Sequence, residues 1–122
     1  MSYEERIKEL TAFRHYLHKH PELSGEEDNT AKAIMDFLGE SPTRNIIRSV
    51  GGEGIVLDYD SGVPGRTIMI RADMDALPIP EENPEIPYAS IESGVAHLCG
   101  HDGHTAILAG LAKELDNDPP GS

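Results

Sequence analysis

The sequence predicts a layered α/β or α+β domain, because segments with helical periodicity share the chain with extended apolar segments. Apolar residues recur at helical spacing near both ends, and three extended segments lie between them. One of these, RTIMIRAD at residues 66–73, is apolar at successive positions, as expected of an interior strand covered on both faces. This pattern favours a layered domain over a helical bundle or a β-sandwich.

Two helices are predicted at the amino-terminal end. Ser2 and Glu5 have the spacing of a capping box, and the apolar residues that follow predict a helix over residues 3–19. Ser24 begins a second capping pattern, ahead of a helix that we expect to end near Gly39.

Strands, one irregular loop and a last helix are predicted for the remainder. Residues 44–50 and 54–60 are extended in type, and a glycine pair separates them. Four prolines within residues 77–88 exclude a helix interior or a central strand, so this segment is predicted to be a loop. A final helix of about eleven residues is expected, with Asp102 or Thr105 as its cap.

Composition excludes several classes of function. The chain has 122 residues, enough for one domain, and 22 acidic against 10 basic residues give a formal net charge of -12. Such a charge disfavours nucleic acids and anionic membranes as partners. No apolar run is long enough to cross a bilayer, and MSYEERIKEL does not have a signal-peptide pattern, so a cytoplasmic location is expected.

The ending DNDPPGS is predicted to be a turn, where a further strand would ordinarily follow. We therefore expect a chain truncated within its domain.

Two short segments contain most of the candidate chemistry. Asp73 and Asp75 lie where the predicted interior strand ends, which is where α/β proteins commonly place ligands. One aspartate capping a turn and the other solvated is an equally good interpretation of that spacing. Cys99 and His101 form a Cys-x-His pair, whose sulfur and imidazole donors suit zinc or a neighbouring first-row ion. Cys99 could equally be an inert buried thiol, and a nucleophilic role is a weaker alternative.

The other histidines are expected to have supporting roles. His97 and His104 flank the Cys-x-His pair and are predicted to be hydrogen-bonded structural residues or to support a ligand. His18 has no carboxylate next to it in sequence, so we expect it on the surface or at the end of the first helix.

Three segments, taken together, resemble a known family. The segments FRHYLHKHPELSGEEDNT, RADMDALPI and GVAHLCGHDGHTAILAG occur in an order that resembles the amino-terminal part of the aminoacylase and hippurate-hydrolase family. The resemblance implies a metal-dependent amidohydrolase with a three-layer α/β catalytic domain, in which a mixed sheet lies between helices. Residues 1–122 would be the amino-terminal part of that domain, and the inserted lid or dimerisation domain would be absent.

The resemblance also implies roles for individual residues. Cys99 would bind or bridge two divalent metal ions, commonly zinc or manganese and in some members nickel or cobalt. His101 would be a second ligand, and Asp75 would orient a ligand. Weaker candidates for the site are Asp73, His104 and Asp102.

A complete enzyme of this family would hydrolyse the amide bond of small N-acyl amino acids, and a homodimer is a candidate assembly. The family's paired glutamates and further histidine ligands do not occur in these 122 residues, so we expect the chain alone to be inactive. An alternative from another class is a non-catalytic metal-binding module, or one that self-associates through an uncovered edge strand.

Overall fold

Three helices and one two-stranded sheet form the regular structure of residues 1–120. The computed structural model describes residues 1–120. Helix α1 spans Tyr3–Lys19, α2 spans Asp28–Leu38 and α3 spans His101–Asn117, while β1 (Asn45–Val50) and β2 (Gly54–Asp58) form an antiparallel hairpin. The α/β class is confirmed, and residues 1–120 contribute this hairpin as their only sheet. The last two residues of the predicted DNDPPGS turn lie outside the described residues. Within residues 1–120, no helix has both the length and the apolar character needed to cross a membrane.

Helix α1 has the bounds and the cap that the sequence predicts. The Ser2 hydroxyl accepts the Glu5 amide at 3.1 Å, and the Glu5 carboxylate accepts the Ser2 amide at 3.4 Å. These two bonds form the predicted capping box, which satisfies amides that the helix itself leaves unpaired. Phe13 and Leu17 point from α1 into the core.

Helix α2 ends where predicted, but its start uses a different cap. Glu27 is the N-cap residue and makes no capping bond through its side chain, so the capping pattern predicted at Ser24 is wrong. Instead Glu22, from the preceding turn, accepts both the Thr30 amide at 2.5 Å and the Thr30 hydroxyl at 2.6 Å. A carboxylate eight residues before Thr30, outside the helix, therefore replaces the local cap. At the other end, Gly39 has φ 66°, a left-handed conformation that glycine adopts without strain.

The core lies between the three helices. Phe13 and Leu17 of α1 pack with Leu38 of α2, and small residues of α3 complete the cluster: Ala106, Ala109 and Ala112. Phe13 also stacks on Phe37, with ring centroids 4.1 Å apart. Small side chains let α3 approach closely, and this cluster fixes the orientation of α3, which carries the candidate site at its first turn.

Residues 66–73 do not form the predicted interior strand. They have no strand assignment, and Ile68 and Met69 are each 84% exposed. A strand needs neighbours for its backbone amides and carbonyls, and within residues 1–120 no segment pairs with this one. The apolar pattern therefore describes a segment suited to an interior position whose covering strands and helices are not among the described residues.

A buried arginine connects the hairpin to the carboxyl end of α3. The Arg44 side chain is fully buried and donates to the Asp116 carboxylate and to the Gly39 carbonyl. The Tyr59 hydroxyl lies 2.7 Å from Asp116 Oδ1 and 3.0 Å from the carbonyl oxygen of Ala112, both of which accept from it. We call Arg44, Tyr59 and Asp116 the clamp.

The clamp predicts a pH dependence at alkaline pH. Burial, together with the hydrogen bond to Asp116 and its charge, raises the pKa of Tyr59 from 10.0 to about 12, although Arg44 partly opposes this. Because the folded-state pKa is raised, the neutral tyrosine favours folding below pH 10, and this contribution is lost as the pH rises towards 12. We expect the difference in urea midpoint between wild type and Tyr59→Phe to narrow between pH 9 and pH 11.5. A difference that stays constant over this range would contradict the assignment.

Candidate metal-binding site

The Cys-x-His pair lies at the start of α3. This helix has 17 residues, longer than predicted, and its N-cap is Gly100 with φ 92° and no capping bond from a side chain. The predicted cap at Asp102 or Thr105 is therefore wrong, because both side chains make contacts elsewhere in the fold. The left-handed conformation at Gly100 turns the chain sharply between Cys99 and His101.

His101 is held by Asp75 across 26 residues of sequence. Its Nδ1 lies 2.9 Å from the Asp75 carbonyl oxygen and 3.0 Å from Asp75 Oδ1. A carbonyl oxygen can only accept, so Nδ1 is the donor in this contact. In the neutral ring the lone pair is then on Nε2, the atom available to a metal ion. The structure thus brings the two predicted residues together in the geometry that orients a histidine ligand.

Asp73 borders the same site. Its Oδ2 lies 3.8 Å from His101 Nε2, and its Oδ1 accepts a hydrogen bond from Arg71 at 2.6 Å. The Thr105 hydroxyl donates to the Asp73 carbonyl oxygen at 2.9 Å, which ties the 73–75 segment to α3. Asp73 is therefore close to the Nε2 side of the His101 ring, whereas Asp75 contacts Nδ1.

Cys99 and His104 complete the exposed part of the motif. Both are exposed, and the rings of His101 and His104 are 6.3 Å apart. Thiolate and imidazole donors fit zinc or a similar first-row ion. Within residues 1–120, however, no three histidine, cysteine or carboxylate side chains converge as a metal site. The described residues offer part of a ligand shell, and an ion bound here needs further donors.

Behind the donor pair lies a buried charged chain that links three parts of the fold. Asp102 is 1% exposed, and its Oδ2 lies 2.8 Å from His18 Nδ1 and 3.3 Å from Arg14 Nε. The other ring nitrogen of His18, Nε2, lies 2.8 Å from Glu81 in the proline-rich loop. We call Arg14, Asp102, His18 and Glu81 the buried relay. It connects α1, the start of α3 and the loop.

His18 lies in the last turn of α1, as one of the two predicted alternatives has it, but the prediction of a surface position is wrong because the side chain is buried in the relay. Both of its ring nitrogens face carboxylate oxygens, and ionised carboxylates only accept, so both are satisfied when the ring carries two protons. Burial alone would raise the pKa of Glu81, but hydrogen bonds from the Ser90 amide and from His18 hold it below its ordinary value. Glu81 is therefore an ionised partner at neutral pH.

Sequence reasoning could not find the relay, because its members are 84 and 63 positions apart. His18 lies one residue before the end of α1, and nothing in its own segment points to carboxylates at positions 81 and 102. His97 is also buried, at 4% exposure, but neither ring nitrogen has a hydrogen-bond partner among the described residues. The expectation that His97 is hydrogen-bonded is therefore not met within residues 1–120.

Comparisons with known proteins identify the family. Residues 69–118 match the profile of peptidase family M20/M25/M40, a span that includes both Asp75 and the Cys-x-His pair. The structure superposes on the crystal structure of Bacillus subtilis YXEP, described as a dinuclear metal binding peptidase from the M20 family, with a TM-score of 0.85 and 38% identity. That match covers 95% of this chain and 32% of YXEP. The chain belongs to the M20/M25/M40 peptidase family.

Two curated relatives are named as an amidohydrolase and a deacetylase. The N-acyl-L-amino acid amidohydrolase of Geobacillus stearothermophilus is 45% identical over 105 residues, which is 86% of this chain and 28% of that protein. The N-acetyl-L-cysteine deacetylase of Bacillus subtilis (strain 168) is 44% identical over 105 residues, 86% of this chain and 25% of that protein. The M20 chain thus spans about a quarter to a third of the length of YXEP and of these two relatives.

Proposed function

We propose that this chain contributes half of a metal-binding site to an M20 amidohydrolase that cleaves the amide bond of N-acyl amino acids. Cys99 Sγ and His101 Nε2 are the proposed ligands, and Asp75 orients His101. The contact between His101 Nδ1 and Asp75 carries the proposal, because it fixes the ring with Nε2 free. The names of the amidohydrolase and the deacetylase relatives support this substrate class.

Divalent metal ions bound here would polarise the amide carbonyl and acidify a water molecule. Two ions are proposed by likeness to the dinuclear YXEP protein, and zinc is favoured by the donor set, with manganese, nickel and cobalt as alternatives. This chain's own part is to hold a thiolate and an imidazole in place. A reducing cytoplasm would keep the exposed Cys99 thiol available for that role.

Zinc binding by the 122-residue chain tests the proposed ligands. We expect both Cys99→Ala and His101→Ala to weaken zinc binding strongly relative to wild type in equilibrium titrations, since each removes one of the two proposed protein donors. Asp75→Asn is expected to weaken binding by about 10–100-fold, because it loosens the orientation of His101.

His104→Ala is the matched control for this experiment. It removes an exposed histidine from the same helical turn, 6.3 Å from the His101 ring, and is expected to leave zinc affinity unchanged. If zinc affinity is retained in His101→Ala but falls in His104→Ala, His104 is the ligand and the proposed role of His101 is wrong.

The isolated chain is proposed to be hydrolytically inactive on N-acetyl amino acids. Within residues 1–120 the glutamate of the relay, Glu81, already accepts hydrogen bonds from His18 and from the Ser90 amide, so it is not free to act as a general base. Turnover by the zinc-loaded chain that disappears in Cys99→Ala would overturn this part of the proposal.

A self-associating module is the second candidate, favoured by the exposure of Ile68, Met69 and Ile70. Its solution mass distinguishes it from an incomplete catalytic domain. A discrete dimer at all concentrations would favour the module, whereas a monomer or heterogeneous aggregate would favour the incomplete domain.

A further inference from the structure

The turn that carries Cys99 and His101 receives no side-chain cap from its own helix. Gly100, the N-cap residue of α3, has no side chain that could accept the free amides of the first helical turn. The separation of the two proposed donors therefore depends on contacts with other parts of the chain.

One carboxylate oxygen of the proline-rich loop is linked to both sides of this turn. Glu81 Oε1 lies 2.8 Å from His18 Nε2 and also accepts the Ser90 amide at 3.1 Å. The Glu81 side chain is only 8% exposed, so water has little access to these two contacts. Each contact begins a separate series of hydrogen bonds, and we call the two series the first and the second arm.

The first arm leads to the His101 side of the turn. His18 Nδ1 lies 2.8 Å from Asp102 Oδ2, and Asp102 is the residue directly after His101. Leu17, the neighbour of His18 in α1, is 2% exposed and belongs to the core. This arm therefore holds the first turn of α3 against a well-packed helix.

The second arm leads to the Cys99 side. The Ser90 hydroxyl donates to the Val95 carbonyl oxygen at 2.7 Å. The next residue, Ala96, is fully buried and exchanges two backbone hydrogen bonds with Leu77, at 3.0 and 3.1 Å. Ala96 lies three residues before Cys99. This arm therefore holds the segment that leads into Cys99.

We propose that Glu81 is a positioning residue for the donor pair, and that its Oε1 atom joins the two arms that set the separation of Cys99 and His101. Glu81 would act through His18 and Ser90 and not as a ligand. The inference rests on the proposed function for its importance, because metal affinity depends on groups that hold the ligands in place. The hydrogen bonds themselves are formed without a metal ion.

The ring of His101 in the metal-free 122-residue chain tests the first arm. In nitrogen-15 NMR spectra at mildly alkaline pH, where an imidazole is neutral, we expect one tautomer in wild type, with the proton on Nδ1 facing Asp75. Glu81→Leu is expected to give a mixture of tautomers, because the first turn of α3 is no longer held. Glu81→Gln keeps an oxygen that can accept from both partners and is expected to restore the wild-type spectrum. Glu82→Leu changes the next, exposed residue of the loop and is the matched control.

Zinc affinity is the second readout, and we expect it to fall by about 10-fold in Glu81→Leu and to recover in Glu81→Gln. If wild type binds no zinc, the proposed function fails, while the tautomer comparison still decides the role of Glu81. If Glu81→Leu folds poorly, Ser90→Ala breaks the second arm and leaves His18 paired. Ser90→Ala is then expected to speed hydrogen exchange at the Cys99 amide without changing exchange at the Ala109 amide in the core of α3.

Two results would overturn the proposal. One is a single Nδ1 tautomer of His101 in a folded Glu81→Leu variant or, where that variant does not fold, unchanged exchange at the Cys99 amide in Ser90→Ala. The other is a change in Glu81→Leu that Glu81→Gln does not restore, because the effect would then come from the charge of the carboxylate and not from the hydrogen bonds to Oε1.

Discussion

Replacing Asp102 by alanine is expected to lower the free energy of unfolding by about 3–5 kcal/mol. Its carboxylate is almost fully buried and faces both His18 and Arg14, so its removal leaves a buried imidazole paired on one side alone. Losing this carboxylate is costly, because His18 Nδ1 is left buried without a hydrogen-bond partner and the interaction with Arg14 is lost at the same time. Urea unfolding followed by circular dichroism measures the effect.

Two variants separate this effect from the general cost of mutating α3 or α1. Asp118→Ala changes an exposed aspartate at the end of the same helix and is expected to cost less than about 0.5 kcal/mol. His18→Asn places an amide donor near the position of Nδ1, so it keeps Asp102 satisfied and is expected to cost less than Asp102→Ala. If Asp102→Ala and Asp118→Ala have equal unfolding free energies, the relay does not stabilise the fold.

Local rules predicted the first half of the chain well. The bounds of α1 follow from a capping box and a helical repeat that both lie within the segment itself. The start of α2 does not follow from its own segment. Glu22 accepts from Thr30 from outside the helix, and so provides the capping bond that was predicted for Ser24. The error in α2 therefore arises from a contact whose geometry depends on how the preceding turn folds.

The strand predicted at residues 66–73 failed for a different reason. Its sequence has the apolar pattern of an interior strand, but a strand forms only with a neighbour that accepts and donates backbone hydrogen bonds. Ile68 and Met69 remain exposed because none of the described residues supplies that neighbour. The apolar sequence pattern shows that the segment is suited to an interior strand, but a neighbouring strand must be present for that strand to form.

In the candidate site, too, residues close in sequence were predicted and contacts between distant residues were not. Cys99 and His101 are one residue apart in sequence and were found from their spacing, and Asp75 was assigned its orienting role by family resemblance. The contact of Asp75 with His101 supports that assignment, although the ligand roles stay predictions. The relay of His18 and Glu81 joins residues far apart in sequence, so no spacing could reveal it.

Asp116→Ala is the second change expected to cost about 3–5 kcal/mol, measured as the free energy of unfolding in urea. Asp116 pairs with the fully buried Arg44 and accepts from Tyr59, so its loss leaves a buried guanidinium without a counter-charge. The affected contacts join the end of α3 to the residues flanking the hairpin. We therefore expect the hairpin amides to lose hydrogen-exchange protection before those of α1 and α3.

The double variant Arg44→Met/Asp116→Leu distinguishes the cost of an unpaired charge from the value of the ion pair. Removing both partners eliminates the uncompensated charge and fills the space with apolar atoms, so most of the lost stability should return. If the double variant is as unstable as Asp116→Ala, the clamp acts through the geometry of its hydrogen bonds to Tyr59 and Gly39 and not through charge compensation. If stability instead recovers in the double variant, Arg44 is tolerated in the interior because the Asp116 carboxylate is opposite it. Asp102 meets the same requirement for the buried side chain of His18.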